Sequence, residues 1–154
     1  LEPVIAYPFL PSNGHSVSQA VSDNIRVDQV FIGSCTNGRL SDFKIAAEIL
    51  KDKKVARHVR LILTPGTQKI LREATKAGYI DTLVDAGAVV SNPTCGACLG
   101  GYMGILGDGE VCIATTNRNF VGRMGSRSSK IYLANSAVAA ASAISGYITD
   151  PRGL

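Results

Sequence analysis

Short apolar runs alternating with amphipathic stretches constrain this chain more than any other feature. Residues 28–33 (DQVFIG), 59–63 (VRLIL), 88–90, 111–115 and 131–133 are brief and mostly apolar, the pattern of strands covered on both faces. Between them, Ile45, Ala46, Ile49 and Leu50 recur at helical spacing within 41–51, with Ser41 as the candidate cap. Thr67 precedes an apolar face of Ile70, Leu71, Ala74 and Ala77 that ends at Gly78. Asn135 opens an Ala-rich run to about residue 145. Strands separated by helices predict an α/β fold, a mostly parallel sheet with helices on both faces. Residues 1–27, broken by Pro3, Pro8, Pro11 and the turn residues 12–14, are expected to form a lead-in without a long regular element. Residues 28–154 are then the α/β domain, with no repeat and no linker inside them.

Composition narrows the function classes. The 154 residues are 45% hydrophobic and 18% charged, which a globular core needs and a disordered chain lacks. Sixteen Lys and Arg against twelve Asp and Glu give +4, suited to an anionic ligand and far from a nucleic-acid arm. Four cysteines are too few for a disulfide scaffold. Glu2 and two prolines in the first ten residues leave no room for a secretory signal, so a cytoplasmic location is expected. The longest uncharged stretch, 86–107, holds six glycines and Pro93, and is expected to be a loop-rich site and not a membrane span. A start without Met, in LEPVIAYPFLP, is expected of a piece of something longer.

Parallel sheets bind ligands beyond the carboxyl ends of their strands. Here those ends run into 34–38, 92–101 and 116–127, and the unusual residues fall in these loops. Cys95 and Cys98 form a C-x2-C pair; Cys35 lies at the mouth of a different strand, and Cys112 sits inside VCIAT as a core residue. Three readings of the convergent trio compete on spacing alone. Structural zinc needs a fourth ligand, for which only His15 and His58 are available. A redox C-x2-C needs no third cysteine. A four-iron cluster with three thiolates leaves one iron open, which implies Lewis-acid chemistry in place of electron transfer.

Residues 111–149 carry no acidic side chain but include Arg118, Arg123, Arg127 and Lys130. A solvated basic surface loop is one reading; interleaved with Asn117, Asn119, Phe120 and Gly122, they also have the composition of a polar concave site, where the planar guanidinium fork matches a carboxylate. Nucleic acid is the rival ligand. Only Phe120 and Tyr132 lie near enough in sequence to stack on bases, and no basic–aromatic repeat occurs.

GSCTNGR at 33–39, NPTCGACLG at 92–100 and TTNRNFVGRMG at 115–125, in this order after strand patterns, together resemble the aconitase family. Within it they are most similar to the large subunits of isopropylmalate isomerase and homoaconitase. The resemblance spans nearly the whole chain and implies an aconitase-type iron–sulfur domain. It implies a [4Fe-4S] cluster on Cys35, Cys95 and Cys98 with one open iron, substrate carboxylates on Arg118 and Arg123, and Asn117 beside the cluster. The implied activity is that of a hydro-lyase subunit interconverting 2-isopropylmalate and 3-isopropylmalate by dehydration and rehydration, in leucine biosynthesis. Homoaconitase, or a dehydratase of another substituted malate, is the alternative; a non-catalytic zinc or iron–sulfur module is the alternative of another class. No side chain here is a convincing proton donor or acceptor for such a reaction. The resemblance implies that catalytic acids and bases come from the remainder of the large subunit and from a small, swivelling subunit, with a small di- or tricarboxylate as substrate.

Overall fold

A computed structural model describes residues 2–154; the first residue of the lead-in lies outside the described residues. The elements in chain order are β1 (Val4–Ala6), β2 (Gly14–Ser16), α1 (Val17–Ser22), β3 (Gln29–Gly33), α2 (Ser34–Asn37), α3 (Leu40–Leu50), β4 (Arg60–Thr64), α4 (Gln68–Lys76), α5 (Tyr79–Ala86), β5 (Val89–Val90), a 3-10 turn (Gly96–Leu99), β6 (Val111–Ala114), β7 (Lys130–Leu133), α6 (Ser136–Ser145) and a second 3-10 turn (Pro151–Gly153). The strands form one sheet in the order β2-β1-β7-β6-β3-β4-β5. From β7 to β5 the pairing is parallel, and the β1–β2 hairpin joins β7 antiparallel. The protein is therefore α/β with a mostly parallel sheet. The lead-in holds only short elements, as its prolines require, and they extend the sheet edge.

Burial follows the pleat. Val30, Ile32, Leu61, Leu63, Ile113 and Tyr132 pack with the helices, whereas Phe31, Ile62, Cys112, Ala114 and Ile131 form a second core on the opposite face. α3 lies against α6, α5 and α4, and α6 lies on β3. Small Ala and Ser side chains let α6 bury most of its length there. Thr67 and Asn135 cap α4 and α6, accepting from Ile70 N at 3.2 Å and Val138 N at 2.9 Å; each cap contributes about 1 kcal/mol. α3 starts at Leu40, one residue before the expected cap Ser41, because the Asp42 carboxylate accepts from the Arg39 N–H at 3.0 Å.

The layer on the opposite face differs in kind from the one the sequence led us to expect. It consists of the 3-10 turn Gly96–Leu99 and the loops around it, with Ala97, Cys98, Leu106 and Met124 supplying its apolar contacts. Strand order explains why. The chain steps outward from β3 to β4 to β5, then returns past β3 to β6 and β7, so its direction across the sheet reverses. Right-handed crossovers in opposite directions must pass over opposite faces. The β5–β6 and β6–β7 connections, which hold two of the three motifs, are thereby sent to the face away from α3–α5. Leu106 N bonds Met124 O at 2.8 Å and Ser126 N bonds Leu106 O at 2.9 Å, tying the two connections together. No described helix is long and apolar enough to cross a membrane.

Candidate functional site

The strand order reverses between β3 and β6, and their carboxyl ends open the crevice in which such sheets bind ligands. At the mouth of β3, Gly33 has φ +123°, and a Cβ there would lie inside the Thr64 carbonyl. The Gly33 N–H donates to Thr115 Oγ1 at 2.9 Å, and the Asn37 side-chain amide donates to the Thr115 carbonyl. Gly38 is equally crowded: a Cβ would stand 2.6 Å from Gly66 N. The single turn α2 is thus clamped between the ends of β6 and β4, and it carries Cys35 exposed on its outer side.

The second motif is wound into a 3-10 turn by Cys98 N–H donating to Cys95 O at 3.1 Å. Gly96, at φ +52°, lies over the Phe31 ring of β3. Cys98 is 5% exposed within the second core, and Cys95 is exposed. Farther along, fully buried Gln29 on β3 donates its amide to the Gly104 carbonyl at 2.6 Å. Gly100 packs onto the third motif, its virtual Cβ 3.3 Å from the Arg123 carbonyl.

In that third motif, Asn117 and Arg118 are exposed, and Arg118 Nη1 donates to the Asn117 carbonyl at 2.8 Å. Arg123 is half-buried. Asn119 is fully buried and anchors the arc, its amide donating to Tyr7 O at 2.9 Å and Ile131 O at 3.3 Å. Lys130 begins β7 and so stands at the amino edge of the sheet, away from the crevice. Among the described residues, Arg118, Arg123 and Arg127 pair with no carboxylate.

The three motifs are therefore linked through Gly33–Thr115, Gly96–Phe31 and Gly100–Arg123. They do not form a single-ion cage: among the described residues, no three His, Cys, Asp or Glu side chains are grouped to hold one metal ion. Both ring nitrogens of His15 are engaged, by Gln19 Oε1 at 3.1 Å and Asn13 Oδ1 at 3.0 Å. His58 stands before β4 at the amino edge. Cys112 is wholly buried, and burial pushes its thiol up to about 12, so it is an inert core residue.

The donor set and its surroundings fit a polar resident group. Cys35, Cys95 and Cys98 are free thiols. Among the described residues, the buried side-chain polar atoms lacking a partner are Ser34 Oγ, Thr116 Oγ1, Asn119 Oδ1 and Arg123 Nε. All four belong to the first and third motifs. An unpaired buried polar atom costs about 1–3 kcal/mol, so the unpaired Ser34 and Thr116 hydroxyls beyond β3 and β6 fit a polar group bound there. Reading the sequence had given no role to Ser34 and Thr116. Their hydroxyl chemistry was visible, but their burial and lack of partners emerge only from the fold.

A profile of the aconitase family (aconitate hydratase) matches residues 12–146. The chain is 94% identical over all its 154 residues to the 3-isopropylmalate dehydratase large subunit of Aliarcobacter butzleri, of which it covers 36%. It is 82% identical over 152 residues to the large subunit of the same name from Sulfurimonas denitrificans, covering 99% of this chain and 36% of that protein. With the one from a Nitratiruptor species the identity is 75% over the whole chain and 37% of that protein. The chain thus spans a little over a third of the length of these relatives.

Proposed function

The chain belongs to the aconitase family, and from that premise we propose that it is the cluster-binding part of a 3-isopropylmalate dehydratase large subunit. The observation that carries this reading is that the first and third motifs follow β3 and β6 at the point where strand order reverses, with the buried hydroxyls of Ser34 and Thr116 unpaired there. Residues 28–154 form the cluster-binding domain and 1–27 its lead-in, within a longer, cytoplasmic polypeptide. Cys35, Cys95 and Cys98 would hold a [4Fe-4S] cluster. When bound, such a cluster supplies an iron with an open position, a Lewis acid for a hydroxyl and its neighbouring carboxylate.

The chain's own residues bind and orient. Arg118, exposed beyond the carboxyl end of β6, and Arg123, with a buried unpaired Nε, clamp substrate carboxylates; Asn117, whose carbonyl accepts from Arg118 Nη1 at 2.8 Å, would lie beside the cluster. Fixing both carboxylates presents the reacting carbon of either isomer in the same place. Proton transfer is assigned to residues of the remaining large subunit and of a small subunit partner. The substrate is a 2- or 3-substituted malate carrying an isopropyl group.

The test is metal analysis of the full large subunit after anaerobic reconstitution. Cys35→Ser, Cys95→Ser and Cys98→Ser should each abolish stable uptake of iron and acid-labile sulfide, and Cys112→Ala should retain both. Full iron content in the Cys35 variant would overturn the ligand assignment.

A further inference from the structure

Ser34 carries two separate costs at one position. Its φ of +66° lies in the left-handed region that glycine adopts freely and a residue with a side chain does not. Its side chain is fully buried, and its hydroxyl has no partner. Glycine would relieve the strain and remove the orphaned hydroxyl, yet serine stands there, immediately before Cys35. On the neighbouring strand β6 a buried, unpaired hydroxyl recurs beyond the carboxyl end, without the backbone strain. Thr116 is 6% exposed and its Oγ1 is also unpartnered. Register pairs Phe31 with Ala114, so the two residues follow adjacent parallel strands out of the sheet at the point where strand order reverses.

Both hydroxyls can donate one hydrogen bond, and neither has a use for it within the described residues. A substrate that enters from solvent and leaves again suits exposed groups such as Arg118; side chains this buried suit a resident group. We propose that Ser34 Oγ–H and Thr116 Oγ1–H are hydrogen-bond donors to the sulfur atoms of the cluster on Cys35, Cys95 and Cys98. This inference rests on the cluster reading above. The sulfurs carry the negative charge of the thiolates and sulfides, and donors in a buried site stabilise that charge more than water would. Each such bond favours the reduced, more electron-rich state and so raises the potential. The two residues are positioning residues for the cofactor and touch no substrate. The strain at Ser34 is retained because the position serves the bound group and not the empty fold.

The experiment uses the full large subunit, with Ser34→Gly and Thr116→Val to remove the hydroxyls and Thr116→Ser to keep one. Three measurements are made: the melting temperature of the cluster-free protein, the iron retained during dialysis against a chelator, and the cluster midpoint potential in an EPR-monitored redox titration. The cluster-free melting temperature should hold or rise in Ser34→Gly. Iron retention should weaken by about 10–100-fold, as for other partners of metal ligands, and the potential should move to more negative values in both hydroxyl-free variants. Thr116→Ser should keep the wild-type potential. A lowered cluster-free melting temperature with an unmoved potential would show that the hydroxyls serve the fold, and would overturn the proposal. A wild-type subunit that takes up no cluster overturns the reading beneath it; a wild-type cluster with unmoved potentials in all variants overturns the hydroxyl assignment alone.

Discussion

Two glycines with similar backbone signs but different surroundings separate strain from crowding. Gly33 at φ +123° abuts the Thr64 backbone, whereas Gly78 at φ +77° has nothing within 4 Å of a virtual Cβ. Gly33→Ala should therefore cost about 2–4 kcal/mol in urea unfolding, from left-handed strain plus overpacking, and Gly78→Ala about 1–2 kcal/mol from strain alone. Equal costs would mean that the β3–β4 mouth can relax. At the arginines the question is shape and not charge. If the two arginines clamp carboxylates as proposed, Arg118→Lys or Arg123→Lys keeps the cation but loses the planar fork, and kcat/KM of the proposed two-subunit enzyme should fall by one to two decades, about 1.5–3 kcal/mol. Arg127→Lys, outside the motif and exposed, should leave kcat/KM nearly unchanged.

Elements are joined across the amino half of the sheet by a polar bracket. Arg60 on β4 makes a bidentate pair with Glu110, 2.8 Å on each arm, and its Nε donates to Gln29 Oε1 on β3 at 3.0 Å. The hydrogen bonds from Arg60 hold the Glu110 carboxyl below the usual carboxylate range. A depressed folded pKa means that the stabilisation is complete above the ordinary glutamate value and is lost as pH falls through the folded one. Glu110→Gln should therefore lower stability by about 0.5–1 kcal/mol near pH 7, a modest figure for a partly exposed pair, and the gap to wild type should close in acid. Chemical denaturation at several pH values reads this directly; a gap that widened in acid would contradict it.

The strands of this bracket were legible in the sequence because apolar runs of four or five residues flanked by turn residues leave few alternatives. α5 was not. Gly78 reads as a stop, and the chain does stop α4 there, but its left-handed conformation also starts a second helix at Tyr79. α2 was equally hidden, since a turn of four residues has no period.

Across the whole molecule, the arginine arc depends on the lead-in hairpin. Asn119 ties residues of the third motif to the carbonyls of Tyr7 and Ile131 from a fully buried position. Asn119→Ala should cost about 1–3 kcal/mol and speed amide hydrogen exchange at Arg123, which bonds Phe120 O at 3.0 Å, while the amides of β3 and α3 keep their protection. Uniform acceleration would point to global destabilisation instead. The three motifs made the family readable from residues alone. Its placement on one face was not readable, because that depends on strand order, and order is decided by pairings between residues far apart in the chain.

Those pairings also set a timetable. Gln29 and Cys112, on β3 and β6, are 83 residues apart, so the crevice closes only after a long loop has been ordered, at an entropic cost that grows with the logarithm of its length. Contacts of such separation slow folding relative to local ones. As the ribosome extends the chain, Cys35 emerges well before Cys95, Cys98 and the strand that completes its surroundings. A nascent thiol at the end of β3 waits, unaccompanied, for the chain to come back.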